Sequence, residues 1–252
     1  MRIANWNLQR VHPSESRAER ILKHLKLVDA DIWVLTETHE LIEPGELFSS
    51  VMSDKHDGES KPGEHWAGIW SRFPITHLPS FVSDGSRCTA ALIKHPEIGD
   101  VTVYATVLPW IGSAWRDIES GGGAAFKAAL NAYTIDWKKL QAAFPNALHV
   151  VAGDFNQDLA PYHYYGSKMQ RDLLEDALAA THMKAVTAGL NDPEETKKLY
   201  RHACIDHICV SDSPGIQVIK TTRWPVAGKP DLRLSDHFCV AVELTKTIPS
   251  HT

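Results

Sequence analysis

The sequence lacks several features that mark whole classes of protein. It has no uninterrupted apolar run of about 18 residues, the length that predicts a transmembrane helix. The first residues, MRIANWNLQR, contain no apolar core of the kind found in secretory signals, and they read directly as a strand. There are only four cysteines in 252 residues, and nothing in their placement suggests a disulfide framework. We therefore expect a soluble, reduced, cytoplasmic protein.

The cysteines and histidines also lack metal-binding spacing. Cys204 and Cys209 flank an Asp-His pair, but the four cysteines fit no zinc pattern, and Cys209 and Cys239 lie in apolar runs. Small buried hydrophobic side chains are the better interpretation. The 14 histidines are scattered without a His-Glu-x-x-His motif, so a zinc hydrolase is only a rival hypothesis, to be tested by metal analysis. Gly121-Gly122-Gly123 lacks the Lys-Ser/Thr of a phosphate-binding P-loop and reads as a connector.

The net charge is not basic. A formal charge of −5 argues against a protein that grips long duplex DNA, because phosphate contacts dominate such binding. A local basic patch stays open if the cations of the second half converge: Lys168, Arg171, Lys197, Lys198 and Arg201. The alternative for these residues is an ordinary solvated charged surface.

The hydrophobic pattern alternates between strands and helices. Residues 2–8 predict a strand, and Ser16 and Glu19 have the spacing of a capping box before a helix that carries Ile21 and Leu25 on one face. Further helices are predicted at 124–143 and 168–180, and further strands at 32–36, 66–70, 88–94, 101–108, 148–152, 205–210 and 238–244, the last two ending the fold. No repeat or linker divides the chain, so we expect one domain over residues 1–252.

Polar side chains stand at or near the ends of these apolar strands: Asn7, Glu37, Asp154, Asn156, Asp206, Asp236 and His237. Strand ends in layered α/β folds are where ligand-binding loops gather. Taken singly, each residue has an ordinary reading, such as an Asx turn or a solvated surface pair. Taken together, the carboxylates and carboxamides form a set of hard oxygen donors that suits Mg²⁺ or Mn²⁺ better than zinc or copper.

The chain resembles the endonuclease/exonuclease/phosphatase superfamily, which includes DNase I, and the matching stretches occur in the same order as in that family. The matching stretches are IANWNL (3–8), IWVLTET (32–38), GIWSRFPI (68–75), VVAGDFNQ (150–157), IDHICVS (205–211) and LSDHFCV (234–240). The GDFN segment followed later by SDH is the most specific part. The resemblance implies an α/β fold of the DNase I type: a four-layer α/β/β/α sandwich of two packed mixed β-sheets flanked by helices.

The resemblance also implies roles for the metal-binding side chains. Glu37 would be the principal ligand of Mg²⁺ or Mn²⁺, and Asn7 would hold the metal or its water shell. Asp236 would lie beside the metal and could serve a second ion. The activity implied is a divalent-metal-dependent phosphoesterase, most simply a nuclease-like phosphodiesterase.

Four further residues would act on the phosphate. Asp154 would orient and deprotonate the attacking water, and Asn156 would hydrogen-bond a phosphate oxygen and position that water. His237 would contact the scissile phosphate, with Asp206 fixing its tautomer and favouring its cationic form. The chemistry is consistent, because a phosphodiester repels nucleophiles by its own charge, which a metal and a cationic imidazole offset.

One segment departs from the family pattern. After the central strand many relatives carry a His or an Asn, where this chain has Val107 and Trp110. Trp110 could be an aromatic wall or a packed surface residue, and Tyr104 is expected in the core. The aromatic residues 162–165 could stack bases or pack the loop. The substrate is open between nucleic acid, nucleotide and another phosphodiester. The alternatives are a phosphatase acting on a small phosphorylated molecule or lipid headgroup and a non-catalytic binding member of the fold.

Overall fold

The computed structural model describes residues 1–55, 61–160, 165–188, 190, 204–224 and 234–247. Their helices and strands are β1 (Arg2–Asn7), α1 (Ser16–Val28), β2 (Ile32–His39), β3 (Ser49–Met52), β4 (Glu64–Ser71), β5 (Ile75–His77), a 3-10 helix (Pro79–Phe81), β6 (Cys88–His95), β7 (Gly99–Val107), α2 (Ala124–Ala143), β8 (Leu148–Asp154), α3 (Lys168–Ala179), β9 (Met183–Ala185), β10 (Asp206–Ser211), β11 (Ile216–Trp224) and β12 (Cys239–Lys246). None of these helices combines the length and the apolar character that crossing a bilayer requires.

The strands form two mixed sheets of six. The first sheet has the order β11-β12-β1-β2-β4-β3 and the second the order β5-β6-β7-β8-β10-β9. In the first sheet β1 runs parallel to β2 and antiparallel to β12. In the second sheet β7 and β8 are parallel, whereas β10 is antiparallel to β8. The strands that carry the polar end residues are thus interior strands or their direct neighbours.

The alternation of side chains along β2 explains how the sheets are packed. Ile32 and Val34 enter the apolar core between the two sheets, while Trp33 and Leu35 pack in the cluster that includes α1. Because both faces are covered, the strand is apolar at nearly every position. On the second sheet the outer face packs against α2 and α3 through Phe126, Trp137 and Leu174. The four layers of the predicted α/β/β/α sandwich are confirmed.

Two local predictions were wrong. Ser16 does not cap α1: Glu15 is the N-cap residue and makes no side-chain cap bond, since its carboxylate accepts from the backbone N–H of His12 instead. The strands of residues 205–210 and 238–244 do not follow each other directly, because β11 lies between them. β11 is an edge strand, and Val218 and Ile219 are exposed, so it lacks the buried pattern on which the strand predictions relied; the short strands β3, β5 and β9 were also not predicted.

Other core predictions are confirmed. All four cysteines are free and buried, as expected of small apolar side chains. Tyr104 is fully buried and donates its hydroxyl hydrogen bond to Asp136. Gly123, the last of the three glycines, is the N-cap residue of α2 with a positive φ of 75°.

Candidate active site

Strand direction brings the polar residues to one end of the sandwich. Asn7 and Glu37 lie near the C-terminal ends of the parallel pair β1 and β2, and His237 lies two residues before the start of β12, which runs antiparallel to β1. In the second sheet Asp154 ends β8 and pairs directly with Asp206, which begins β10. The site is therefore assembled from the same edge of both sheets.

Alternation along β1 directs its amides toward the second sheet. Ile3, Asn5 and Asn7 lie on one face of the strand, and Ile3 belongs to the core between the sheets. Asn5 is fully buried, and its Nδ2 donates to the backbone oxygens of Gly153 at 2.8 Å and His207 at 3.2 Å. This cross-sheet link lies one residue before Asp154 and one residue after Asp206, so it fixes the two sheets next to the site.

Glu37 adopts an unusual backbone conformation inside its strand. Its φ is +44°, and the β2–β4 register is interrupted at Glu37, because it passes from Thr36 opposite Ala67 to Thr38 opposite His65. Such a left-handed residue in a strand is strained, and strain of this kind concentrates at functional sites. The sequence pattern placed Glu37 just beyond the strand, whereas β2 continues to His39.

The side-chain amide of Asn7 connects acidic side chains of the two sheets at the site. Asn7 Nδ2 donates to Glu37 Oε1 at 3.2 Å and to Asp154 Oδ2 at 3.1 Å. Asp154 Oδ1 accepts from the backbone N–H of Asn156 at 2.9 Å. Burial, followed by the charge of Asp206, raises the pKa of Asp154 to about 7, and burial and the charge of Asp154 raise the pKa of Glu37. The carboxylates thus lie close enough to disfavour one another's charge.

Asp206 and His237 form a largely buried ion pair next to Asp154. Asp206 Oδ2 lies 2.6 Å from His237 Nδ1. Burial alone would lower the pKa of His237, but the charge and hydrogen bond of Asp206, then the charges of Asp154 and Asp236, raise it to about 10. The imidazole is therefore cationic at neutral pH, with Nε2 directed away from Asp206. Ser235, whose hydroxyl donates to the backbone oxygen of Asn7 at 2.7 Å, ties this segment to β1.

The donor set is suited to a hard cation. Ligand atoms of Asp154, Asp206 and His237 lie within 4.8 Å of one another, and among the described residues Asp206 Oδ1 is buried without a hydrogen-bond donor. The imidazolium is a poor ligand, because its Nδ1 is held by Asp206. Oxygen donors are the better candidates: Glu37 joins Asp154 through Asn7, and Asp236 lies 3.8 Å from His237 Nε2. Carboxylate and amide oxygens are what Mg²⁺ and Mn²⁺ bind.

Glu37, Asp154, Asp236 and His237 line a cavity of about 340 Å³ whose remaining walls are aromatic, basic and aliphatic. It is bounded by Glu37, Trp66, Arg87, Val107, Trp110, Asp154, Asn156, Tyr165, Ile205, Asp236 and His237. Val107 is buried, whereas half of the Trp110 surface is exposed, so the departing segment presents valine and tryptophan side chains in place of a His or an Asn. Asn156 Nδ2 donates to the backbone oxygen of Leu108, which ties this segment to β8.

All seven predicted site residues are brought to this end of the molecule. Asn7, Glu37 and Asp154 are joined by hydrogen bonds, Asp206 and His237 are paired, and Asn156 and Asp236 line the same cavity. The pattern missed Asn5, Ser235 and the trio of Arg10, Trp66 and Arg87, none of which follows a strand as an isolated acid or amide. Only the stacking of Arg10 and Arg87 on Trp66 reveals that trio.

The suggested basic patch is only partly visible. Lys168 pairs with Asp172, and Arg171 pairs with Glu175, each one turn along α3. These two residues thus form part of a charged helix surface with local partners. Residues 197, 198 and 201 lie outside the described residues, as do 162–164 of the aromatic segment, while Tyr165 lines the cavity.

Comparison with known proteins agrees with this architecture. The endonuclease/exonuclease/phosphatase family model matches residues 4–237, and the chain belongs to that family. No curated protein sequence matches it at a comparable level. Most members of this family are hydrolases, and its enzymes typically use divalent metals.

Similar solved structures support the fold. An endonuclease/exonuclease/phosphatase from Beutenbergia cavernae has 21% identity and a TM-score of 0.65, over 98% of this chain and 72% of that one. The human Nocturnin catalytic domain with a bound sulfate anion has 15% identity and a TM-score of 0.66, over 98% and 94%. D. rerio TDP2 complexed with a single-strand DNA product has 14% identity and a TM-score of 0.64, over 98% and 99%. At these identities the likeness concerns the fold alone.

Proposed function

We propose that this protein is a Mg²⁺- or Mn²⁺-dependent phosphodiesterase of nuclease type, which hydrolyses P–O bonds by in-line attack of a water oriented by Asp154. The observation that carries the proposal is that Asn7 joins Glu37 and Asp154 by hydrogen bonds, that Asp206 pairs with His237, and that Glu37, Asp154 and His237 line one cavity. Acids beside a cation match the charges of a water nucleophile and a phosphate.

Each side chain has a role that follows from its contacts. Asp154 is buried and held by two N–H donors, so one of its oxygens can orient a water and accept its proton. His237 presents Nε2 to the cavity and, as a cation, stabilises charge on the phosphate oxygens. Asp206 holds the imidazole in that orientation, and Asn156 lies where its amide can contact a phosphate oxygen.

Glu37 would be the principal metal ligand, with Asn7 and Asp236 beside it. A divalent cation bound there would offset the negative charge of the phosphate and of the leaving oxygen. Burial raises the pKa values of both carboxyls, as do the charge of Asp154 at Glu37 and the charge of Asp206 at Asp154, so a bound cation would relieve the repulsion among these acids. The fold of TDP2 with its DNA product is compatible with a nucleic acid substrate.

The test is hydrolysis of bis-p-nitrophenyl phosphate and of single- and double-stranded DNA, with Mg²⁺, with Mn²⁺ and with EDTA. We expect metal-dependent turnover that Asp154→Ala and His237→Gln reduce by at least about a hundredfold. A matched control is His149→Gln, since His149 is also buried and bonded to a side chain, Thr102, but lies outside the cavity. Metal-independent turnover, or full activity of Asp154→Ala, would defeat the proposal.

A further inference from the structure

One wall of the cavity is a stack of three side chains. The guanidinium of Arg10 lies 4.3 Å from the ring centre of Trp66, and that of Arg87 lies 4.7 Å from it. Trp66 stands opposite Glu37 at the point where the β2–β4 pairing is interrupted. Two cations therefore stack on one indole, beside the acidic centre of the site.

The stack restricts what Trp66 can do. An indole in a phosphodiesterase cavity would ordinarily suggest base stacking. Here the ring is already in contact with two guanidinium groups, so its surface is largely committed to them. A planar guanidinium on an aromatic ring is held in orientation while its N–H edge stays available for a phosphate. Trp66 thus holds the two guanidinium groups in a fixed orientation.

The two arginines differ in their surroundings. Arg10 lies 3.6 Å from Glu37 and 3.9 Å from Glu64, so its charge is partly offset by carboxylates. Arg87 also lines the cavity, yet among the described residues no carboxylate lies within ion-pair distance of its guanidinium. Arg87 is therefore the cation whose charge is available to a bound anion.

The backbone of Arg87 is firmly placed. Its N–H donates to Asp84 Oδ1 at 3.3 Å, and its oxygen accepts from the N–H of Val107 at 3.1 Å. Asp84 is itself buried and accepts hydrogen bonds from Trp115 at 2.7 Å and Tyr133 at 2.8 Å. A cationic side chain that is supported at its backbone and at its guanidinium is arranged as a binding group rather than as a loose surface charge.

We propose that Arg87, whose guanidinium is oriented by stacking on Trp66, binds a second phosphate of the substrate next to the one that is hydrolysed. The substrate is then a nucleotide chain with consecutive phosphates rather than an isolated phosphodiester. This inference rests on the proposed function. In the proposed mechanism His237 contacts the scissile phosphate, so Arg87 is not needed to bind that phosphate. Trp110 and Tyr165 on the same cavity offer rings to bases, which favours nucleotides over sugar or lipid phosphates.

The test compares three dinucleotides with the same scissile bond: TpT, pTpT and TpTp, hydrolysed with Mn²⁺ and separated by chromatography. We expect kcat/KM for one of the two phosphorylated forms to exceed that for TpT by about tenfold, the size of one charge-assisted hydrogen bond. The position of the favoured phosphate also shows on which side of the scissile bond Arg87 lies.

The variants assign that preference to the stack. Arg87→Ala should bring the ratio of the two efficiencies close to one, and Arg87→Lys, which keeps the charge without the planar stack, should leave an intermediate ratio. Trp66→Ala should lower the ratio through KM. Arg72→Ala is the matched control, because Arg72 also stacks on an aromatic ring, that of Phe48, but outside this cavity. It should keep the wild-type ratio.

The outcomes separate the two proposals. Equal efficiencies for all three dinucleotides, or a preference that survives in both Arg87 variants, would overturn the assignment of Arg87 while leaving the phosphodiesterase intact. Absence of turnover with every dinucleotide in a protein that hydrolyses DNA would likewise overturn the inference alone, whereas absence of turnover with DNA, bis-p-nitrophenyl phosphate and every dinucleotide would defeat the proposed function and this inference with it. Circular dichroism of the variants confirms that each change in ratio arises in a folded protein.

Discussion

Replacing Asp154 by Asn should make the metal-free protein more stable at alkaline pH. Burial and the charge of Asp206 raise the pKa of this carboxyl from 3.8 to about 7. A tenfold change in proton affinity corresponds to about 1.4 kcal/mol, so the ionised carboxylate lowers the free energy of unfolding by about 4 kcal/mol at pH 8. Asn removes this penalty but loses the hydrogen bond from Asn7, at about 1 kcal/mol, which leaves a gain of about 3 kcal/mol.

The sign of the pH dependence follows from the raised pKa. Below pH 3.8 the carboxyl is protonated in both the folded and the unfolded chain and has no effect. Between pH 3.8 and about 7 the unfolded chain ionises first, so the wild-type protein loses stability as the pH rises, and above about 7 the penalty is complete. We therefore expect the advantage of Asp154→Asn to shrink by about 2 to 3 kcal/mol between pH 8 and pH 5.

The assay is urea unfolding in EDTA at both pH values. Asp84→Asn is the control with the opposite sign: burial alone would raise the pKa of Asp84, but hydrogen bonds from Trp115, Ser86 and Tyr133 lower it overall, so this variant should be destabilised at pH 8. If Asp154→Asn were no more stable than the wild-type protein at pH 8, Asp154 would not be a buried acid whose charge is disfavoured by Asp206, and the proposed catalytic role would lose its basis.

Three further changes test the framework of the site. Asn5→Ala should lower the free energy of unfolding by about 2 to 3 kcal/mol in urea titration, because two buried cross-sheet hydrogen bonds are lost; an unchanged midpoint would refute the link. Gly153→Ala should cost more than about 2 kcal/mol, since its Cβ would lie 1.9 Å from the backbone oxygen of Thr106, whereas Gly99→Ala, also at positive φ but without a neighbour within 4 Å, should cost less. Trp110→Ala should change stability by under about 0.5 kcal/mol but raise KM for dinucleotides about tenfold, and an unaltered KM would exclude base stacking there.

The sequence allowed most of the site to be predicted because strand ends are readable from hydrophobic pattern. Asp154 follows an apolar run and directly precedes a turn, so its position at a sheet edge was foreseeable. Parallel and antiparallel pairing then brings such ends together without any information beyond strand direction. The same logic identified Asn7, which ends β1, and His237, which precedes the adjacent strand β12 of the first sheet.

What could not be predicted depends on contacts between distant residues. Asn5 differs from Asn7 in no local feature, and only the packed second sheet shows that it binds Gly153 and His207. Arg87 lies in a loop of ordinary composition, and its proposed role as a phosphate-binding residue depends on its contact with Trp66, which lies on a different sheet. β11 escaped detection because an exposed edge strand buries too little of either face to impose a pattern.

The division of the site between two sheets has a consequence for assembly. Glu37, Asn7 and His237 come with one sheet, while Asp154, Asp206 and Arg87 come with the other. A folding intermediate that has completed only one half of the sandwich would hold neither a whole cation site nor a matched acid and imidazolium. Such a species would not hydrolyse phosphodiesters. We therefore expect activity to appear only when the two sheets pack together and Asn5 forms its hydrogen bonds with the second sheet.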